Sequence, residues 1–507
     1  MAEQIEHGKT DKLWRVLALC WLLTVFTSFF NSYFLSVSLP VVGTLFPFRI
    51  MLPITAVLYF IWVIKNREPI WRGTSALEKW CYILIAILLL YGAVSLLRAI
   101  DFSWTFRRLF NLCFDLCFFF LMLRLCRNKQ LLKATLMVLF VMLAVISLLG
   151  IYEVFFGGIV NDAYDDFKRL YVFNGLFQYP IVFSGNTNDY ATTLIFLYVV
   201  LLLAVLRKGS EIRKREYVWI VLMGTVVYFL ALAGNSRLCE ACFFFLVVGM
   251  FLYFLLCQKR RIRIAVLLIL GILCVEFIVQ YRYIVPPIQQ YLSEVQAYQA
   301  EQTDTPESVS TEPVSSENTD NKLQQPTLVL GDQEKETLEE QFFDTDEETG
   351  EKILREEGSA GIRVHLLIHA LDCIKESYGL GVGLGNTETL AAQRGVVPGW
   401  ADKPQNSIHC FLARLVADYG IFALVPLCVI AFLLLKRIVQ LLVYGIRSRN
   451  RNHVAYAVLF FFCIVIYPIL STASSDAQDI IPMWIYLAGM VLYAVNFPAQ
   501  DSLKKEV

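Results

Sequence analysis

Charged side chains are scarce in this sequence. Only 17% of its 507 residues are Asp, Glu, Lys or Arg, whereas 57% are hydrophobic and 14% are aromatic. The mean hydropathy is +0.57. A soluble chain of this length needs far more polar surface, so the composition excludes a row of three or four soluble domains. We therefore expect most of the chain to lie in lipid.

The sequence also lacks an excess of either charge. Lys+Arg and Asp+Glu both total 44, so the balance indicates no nucleic-acid partner. The charges are nevertheless segregated, because residues 301–350 contain 15 acidic and 2 basic side chains. The thirteen cysteines lie mostly in apolar runs and do not indicate a disulfide framework, which is typical of short secreted chains. Cys239 and Cys242 form a C-x-x-C without a second pair, so we expect no zinc or redox use.

Long apolar runs are abundant. A membrane span needs about 20 mostly apolar residues, with every backbone polar group bonded inside a helix. Twelve stretches meet this requirement, near 14–36, 40–64, 80–98, 108–126, 131–155, 189–206, 217–235, 238–257, 263–281, 409–435, 454–471 and 479–497. No small-residue cleavage pattern follows the first, so we expect it to remain as an uncleaved helix. The predicted fold class is an all-α polytopic membrane protein with about 12 transmembrane helices.

Lys and Arg collect in alternate loops, which predicts the orientation. With both termini in the cytoplasm, the basic loops lie inside, and Arg107, Arg108, Lys168 and Arg169 are exceptions on the outer side. The predicted organisation follows the chain: helices 1 to 9 in 1–281, a large extracytoplasmic loop in 282–408, helices 10 to 12 in 409–497 and a cytoplasmic tail in 498–507.

The long outer loop has two parts. Residues 294–357 are mostly Glu, Asp, Ser, Thr and Gln, which predicts an acidic, disordered insert. In 359–408, apolar residues at helical spacing predict an amphipathic helix, on the outer membrane surface or over a cavity mouth. The Gly-rich string 379–386 follows it. No strand precedes this string, so we interpret it as a tight turn that brings backbone close to a neighbour, not as a nucleotide loop.

Ionisable residues at or within spans are the first functional candidates, because a charge at the bilayer centre costs about 2.5–3.5 kcal/mol. Arg49 is either a snorkelling outer-leaflet arginine or a ligand of lipid phosphate. Arg237 follows a tight connection and is either placed for function or a simple interfacial anchor. His409 opens span ten on the same face, where an imidazole can act as a general base near neutral pH. Arg414 and Asp418, spaced i, i+4, are expected to pair.

These features also follow a characteristic order. Ser236-Arg237 lies between spans seven and eight, a large loop follows span nine, and an amphipathic helix beginning Gly361-Ile362-Arg363 precedes Gly-x-Gly-x-Gly-Asn at 381–386. His409 then leads to Asp418-Tyr419-Gly420-Ile421-Phe422, and Ser184-Gly185-Asn186-Thr187-Asn188 supplies an Asn-x-Asn element. Over roughly 130–440 the chain resembles the O-antigen ligase and O-antigen polymerase superfamily. It is most similar to the polymerase-like members that build capsule, exopolysaccharide or teichuronic acid.

The resemblance implies a metal-independent glycosyltransferase without cofactors in a bacterial cell membrane. It implies an undecaprenyl-pyrophosphate-linked oligosaccharide donor and a glycan acceptor, both handled at the outer face of the lipid bilayer. Other polysaccharide-assembly proteins are candidate partners. His409 would be the base, and Arg237 and Arg363 would hold the pyrophosphate. Expected substrate contacts are Asn186, Asn188, Ser236, Gly383, Gly385, Asn386 and Arg49. The chain departs from the family pattern at Cys410, usually Asn, and at Arg414, often acidic.

Three alternatives remain open at this stage. A ligase that attaches finished glycan to a lipid or wall acceptor would give a single transfer, whereas a polymerase would give a ladder of chain lengths. A twelve-span transporter or lipid flippase would move lipid-linked glycan without a covalent product. Transporters usually show two related halves, which the loop after span nine breaks here. A membrane anchor that displays the acidic loop would explain neither Arg237 nor His409.

Overall fold

The computed structural model describes the chain in sixteen ranges: 12–30, 37–39, 43–69, 71, 73–156, 179–184, 186–234, 236–257, 263–264, 266–276, 343–345, 352–354, 359–397, 408, 410–473 and 481–497. Within these ranges the chain is mainly helical. The predicted helical class is therefore confirmed.

The helices follow one another closely along the chain. Those of the first half are α1 (Lys12–Thr27), α2 (Pro47–Asn66), α3 (Ala76–Ser95, extended by a 3-10 turn at Leu96–Arg98), α4 (Phe102–Leu125), α5 (Lys129–Phe156), α6 (Thr187–Leu206), α7 (Lys214–Ala233) and α8 (Arg237–Cys257). Those of the second half are α9 (Val266–Glu276), α10 (Ser359–Glu376), α11 (Asn386–Gln393), α12 (Phe411–Tyr419), α13 (Ile421–Arg447), α14 (Arg451–Leu470) and α15 (Ile481–Val495). A short 3-10 helix also spans Gly209–Glu211.

Two short antiparallel strand pairs depart from the all-helical prediction. β1 (Val37–Leu39) pairs with β2 (Gly43–Leu45), and β3 (Phe343–Thr345) pairs with β4 (Lys352–Leu354). The second pair lies in the segment predicted to be disordered, so that prediction is wrong at these six residues. In the sequence, Phe343, Thr345 and Ile353 are residue types that favour strands. The rest of 294–357 lies outside the described residues.

Eight helices in the described ranges are long and apolar enough to cross a membrane: α2, α3 with its 3-10 extension, α5, α6, α7, α8, α13 and α14. The apolar helices α9 and α15 are shorter, and α1 has 16 residues. Helix α4 has 24 residues but carries Arg108, Asp115 and Arg124 among its apolar positions. The count of twelve spans and the outer placement of the long loop therefore stay predictions.

Helix α6 lies at the centre of the bundle. Every residue from Tyr190 to Leu203 is buried, which is the pattern of a helix that is apolar on all sides. Helix α15 packs beside it, where Gly489 faces Val200 and the hydroxyl of Tyr493 donates to the Val200 carbonyl at 2.9 Å. Helices α6 and α15 thus form the central pair of the bundle. The Asn-x-Asn element lies at the start of α6.

The single helix predicted for 409–435 is wrong, because Gly420 divides it into α12 and α13. Gly420 has φ +61 and ψ −145, a conformation that side-chain-bearing residues rarely adopt. A Cβ there would lie 2.2 Å from the Gly379 carbonyl oxygen, and the Ile421 amide donates to that same oxygen at 2.9 Å. The apolar character of both halves hides this break in the sequence.

Helices α10, α11 and α12 form a small layer with its own core. Its buried members are Leu366, Ala370, Cys373, Ala391, Val397, Ile408 and Ala417. The predicted amphipathic helix is present as α10, with Leu366, Ala370 and Cys373 on the face that packs into this core. The layer sits at the end of the bundle where α3 finishes and α4 begins, because Asn386 bonds to Arg98 and Ile100 there.

Candidate functional site

The Gly-rich string is a tight turn, as predicted. Gly379, Gly381, Gly383 and Gly385 all have positive φ, between +75 and +104. A Cβ on Gly381 would lie 2.5 Å from the carbonyl oxygen of Asp418, so only glycine allows the turn to approach α12 this closely. The amides of Val382 and Gly383 bond to carbonyl oxygens of α12. The neighbour that this backbone approaches is therefore the protein itself.

Asn386 fastens this turn to the junction between α3 and α4. Its Nδ2 donates to the carbonyl oxygens of Arg98 at 3.1 Å and Val382 at 2.8 Å, and its Oδ1 accepts from the Ile100 amide at 3.0 Å. The side chain is buried and its amide bonds to backbone throughout. This geometry favours a structural role for Asn386, and substrate contact by Asn386, Gly383 or Gly385 stays a prediction.

Buried charges lie directly beside the turn and are matched in sign. Glu388 on α11 accepts from Arg108 Nη2 at 2.6 Å and from Trp104 Nε1 at 2.9 Å. Arg414 on α12 approaches the same carboxylate at 3.2 Å and the Asp418 carboxylate at 3.8 Å, which confirms the predicted pairing of Arg414 with Asp418. Two guanidinium groups thus face two carboxylates, and the cluster neutralises itself.

The pKa of Asp418 in this cluster is shifted. Burial raises its pKa to about 6, although Arg414 and a 2.6 Å hydrogen bond from Thr387 favour the ionised form. Sequence reasoning missed Trp104 and also Glu388, which is the partner of Arg108. Arg108 was visible only as a basic exception on the outer side, and its partner lies 280 positions away in the chain.

The Asn-x-Asn element lies beside the Ser-Arg element. Asn186 caps α6, with its side chain accepting from the Asp189 amide and donating to the Asp189 carboxylate, both at 2.8 Å. Thr187 contacts the position of Gly234 at the end of α7. One turn further along α6, the Thr192 hydroxyl lies 3.5 Å from the Cys239 thiol of α8. The starts of α6 and α8 therefore form one corner of the bundle, with Asn188 half-buried at its edge.

Arg363 on α10 joins this corner. Its guanidinium is half-buried and interacts electrostatically with Cys239, two residues after Arg237. Burial lowers the pKa of Arg363, and within the described part of the chain its Nε has no hydrogen-bond partner. Buried Ser236 lies beside the Cys239 thiol, and Arg237 is exposed. Arg363 thus approaches the start of α8, where Glu240 also interacts electrostatically with Cys239 and with Arg237.

His409 lies outside the described residues, so its predicted role stays a prediction. Its two sequence neighbours are described. Ile408 packs in the core of the small layer formed by α10, α11 and α12, together with Leu366, which lies one turn after Arg363 on α10. Cys410 precedes the first residue of α12 as its N-cap. The chain on either side of position 409 is thus attached to the helix that carries Arg363.

Arg49 is held on the protein side of α2. It donates to Asn111 of α4, and its guanidinium carbon lies 4.9 Å from the Phe46 ring centroid and 5.6 Å from that of Phe110. These contacts hold Arg49 against α4, and the snorkelling interpretation stays a prediction. Binding of lipid phosphate by Arg49 stays a prediction.

His369 on α10 has structural surroundings. The buried His369 ring lies 3.0 Å from the Thr387 carbonyl oxygen and 3.4 Å from the Cys373 sulfur, and burial lowers its pKa. Across the residues that the structure describes, no group of three or more His, Cys, Asp or Glu is placed to hold a metal ion. His369 therefore connects α10 to α11.

Comparison with known families identifies the region that contains this corner. Residues 229–428 match the family model described as O-antigen ligase. This region is similar to the O-antigen ligase family. The O-antigen ligase match includes Ser236, Arg237, Arg363 and the Gly-rich turn, whereas Asn186 lies before it. Comparison with curated proteins gives no match. The family and the apolar helices together support an integral membrane protein that transfers glycan.

Proposed function

We propose that the protein polymerises oligosaccharide units carried on undecaprenyl pyrophosphate into a surface polysaccharide, at the outer face of a bacterial cell membrane. The observation that carries this proposal is the placement of Arg363. A helix outside the apolar spans brings a half-buried guanidinium to Cys239, two residues after Arg237, in the region that matches O-antigen ligases. A cation that is partly desolvated and uncompensated within the described chain fits an anionic ligand.

The chemistry of arginine suits a pyrophosphate ligand. Guanidinium stays charged at physiological pH even when burial lowers its pKa, and its planar fork can bind two phosphate oxygens at once. Arg237 and Arg363 come from α8 and α10, so they can approach a pyrophosphate from two sides. Arg108 and Arg414 are less suited to this role, since Glu388 and Asp418 already neutralise them inside the protein.

The proposed reaction is an inverting glycosyl transfer. The acceptor hydroxyl gives its proton to the imidazole of His409, and its oxygen attacks the anomeric carbon of the donor glycan. The bond from that carbon to the pyrophosphate oxygen breaks, and its electron pair remains on the undecaprenyl pyrophosphate that leaves. Arg237 and Arg363 stabilise the negative charge that develops there. The new glycosidic bond and the protonated histidine complete the balance.

Transfer by purified protein in lipid nanodiscs tests this assignment. The wild-type chain, given lipid-linked oligosaccharide extracted from the producing cells, should release undecaprenyl pyrophosphate and form a ladder of chain lengths. His409→Ala should abolish both products while retaining donor binding, and Arg237→Ala should weaken binding and transfer together. Arg394→Ala is the matched control, because Arg394 lies on the same small layer but pairs with Glu376 at the surface.

The products also separate the remaining alternatives. A single glycan transfer without a ladder would replace the polymerase by a ligase and leave the arginine site intact. Full activity in both His409→Ala and Arg237→Ala would overturn the proposed mechanism. Proteoliposomes made from the same lipid test the transporter. Passage of lipid-linked glycan across their membrane without any covalent product would indicate a flippase instead.

A further inference from the structure

Helix α10 presents apolar side chains on two faces. One face packs into the core of the small layer, as described above. On the other face, Leu367, Ile368 and Leu371 are 39%, 46% and 48% exposed. At 100° per residue these three side chains cover a stripe about 100° wide, which is the width of a helix face that packs against something apolar.

The chain that leaves α10 contacts α3 before the end of that span. The Tyr91 hydroxyl of α3 donates to the carbonyl oxygens of Leu380 at 2.8 Å and Gly381 at 3.0 Å. The span of α3 continues to Arg98, seven residues beyond Tyr91. At 1.5 Å per residue, the chain leaving α10 therefore reaches about 10 Å inside the end of that span.

Exposed residues also lie just after α10 and at the start of the span formed by α13. Tyr378, just after α10, is 93% exposed, and Leu380 beside it is also exposed. The Gly379 carbonyl oxygen accepts from Ile421, where the span of α13 begins, and both Ile421 and Phe422 are exposed. Exposed apolar side chains thus lie on both sides of the polar end of α10, where Lys375 and Asp372 pair at 3.4 Å, and they reach the residues that begin a membrane span.

We propose that Leu367, Ile368 and Leu371 seat α10 in the outer leaflet of the lipid bilayer, with the helix lying in the membrane interface. Amphipathic helices of this kind bury their apolar face roughly 5–10 Å into the headgroup and acyl boundary, which matches the depth of the Tyr91 contact. Exposed Lys375 lies in line with the stripe at the C-terminal end of α10, where it pairs with Asp372 at 3.4 Å and can reach the phosphates, whereas Glu376 lies on a different side of the helix.

This seating places the proposed pyrophosphate site at a defined depth. Arg363 lies one turn before Leu367, between the buried face and the exposed stripe of α10. A seated α10 therefore holds the Arg363 guanidinium level with lipid headgroups, where the pyrophosphate of an outer-leaflet donor also lies. This consequence, unlike the seating itself, rests on the proposed function.

Depth-dependent quenching in donor-free nanodiscs tests the seating. A fluorescent amino acid is placed at position 371 or 376 of the full chain, two positions of similar exposure (48% and 52%) on different faces. We expect lipids brominated on their acyl chains to quench the probe at 371 and spare the probe at 376, and aqueous iodide to do the reverse. An unchanged gel-filtration profile shows that each labelled chain is folded.

The other possible occupants give different results, and each would overturn the proposal. Iodide quenching of both probes would show a stripe in water. Protection at 371 only after undecaprenyl pyrophosphate is added would show that the donor chain covers the stripe. Protection that requires two protein copies in one nanodisc would show a dimer contact. Because no donor or activity enters the primary measurement, its failure would leave the proposed reaction untouched.

Discussion

Arg108 and Glu388 lie 280 positions apart in the chain, yet the guanidinium holds the carboxylate through two hydrogen bonds of 3.0 and 2.6 Å. The pair joins α4 to α11, and Arg414 adds α12 to the same carboxylate. Because all three side chains are buried, the small layer of α10, α11 and α12 shares one neutralised cluster with the bundle. The layer is thus attached to the bundle by charge as well as by apolar packing.

Removal of the shared carboxylate should destabilise the fold. Glu388→Ala would leave Arg108 and Arg414 buried without it, a change that costs about 3–5 kcal/mol in comparable buried pairs. We expect the thermal unfolding midpoint in nanodiscs to fall clearly. Glu376→Ala, which removes the exposed partner of Arg394, should leave the midpoint unchanged. Equal midpoints for the two variants would show that the cluster contributes nothing.

The break between α12 and α13 should depend on glycine at position 420. Gly420→Ala introduces a Cβ 2.2 Å from the Gly379 oxygen and forces alanine into a conformation that costs about 1–3 kcal/mol. Gly395→Ala is the control, since Gly395 also has positive φ (+59) but open space around its Cα. The midpoint should fall further for Gly420→Ala. Similar losses would mean that backbone strain alone, and no close contact, limits position 420.

Patterns local in the chain predicted much of this architecture. Apolar run lengths identified the helices, helical spacing identified α10, and alternating glycines identified the turn at 379–385. Interactions across long separations were not predictable. Nothing near Glu388 in the sequence points to Arg108, and the apolar residues on both sides of Gly420 conceal the close contact that breaks the helix.

The arginine corner was predictable only in part. Arg237 and Arg363 were predicted as a pair from their resemblance to family motifs, and the structure brings Arg363 to the start of α8. The buried partners of Asn386 were not predicted, because an asparagine after a glycine turn can bind a ligand or its own backbone equally well. The choice between a ligand and the backbone depends on where the α3–α4 junction lies, because Asn386 bonds to that junction.

Glu153 should hold the segment before the Asn-x-Asn element. Its buried carboxylate accepts from the amides of Ile181 at 2.8 Å and Val182 at 2.7 Å, and Val182 has φ +51, which is unusual for a β-branched residue. Glu153→Ala would leave two buried amides without this acceptor, at about 1–3 kcal/mol each. Glu153→Gln keeps an acceptor oxygen, so unfolding measurements should show a much smaller loss. Equal losses would contradict this role.

Asp418 should make stability depend on pH between about 4 and 6. Burial raises its pKa from 3.8 to about 6, so the folded chain binds this proton more tightly than the unfolded chain does. Its contribution to stability is therefore fully present below pH 3.8 and is lost as pH rises through about 6. In Asp418→Asn, the unfolding midpoint should fall less over this interval than in the wild type. Parallel curves for the two proteins would contradict the assignment.

Binding of undecaprenyl pyrophosphate to Arg363→Ala tests the central claim most directly. Affinity is measured in nanodiscs for the wild type, Arg363→Ala and Arg394→Ala. The nanodisc lipid contains no undecaprenyl compounds, and no sugar acceptor is added. Loss of one partner from a desolvated charge pair costs about 2–5 kcal/mol, so Arg363→Ala should bind about 30-fold more weakly or worse, and Arg394→Ala should match the wild type. Wild-type affinity in a folded Arg363→Ala protein would contradict the account.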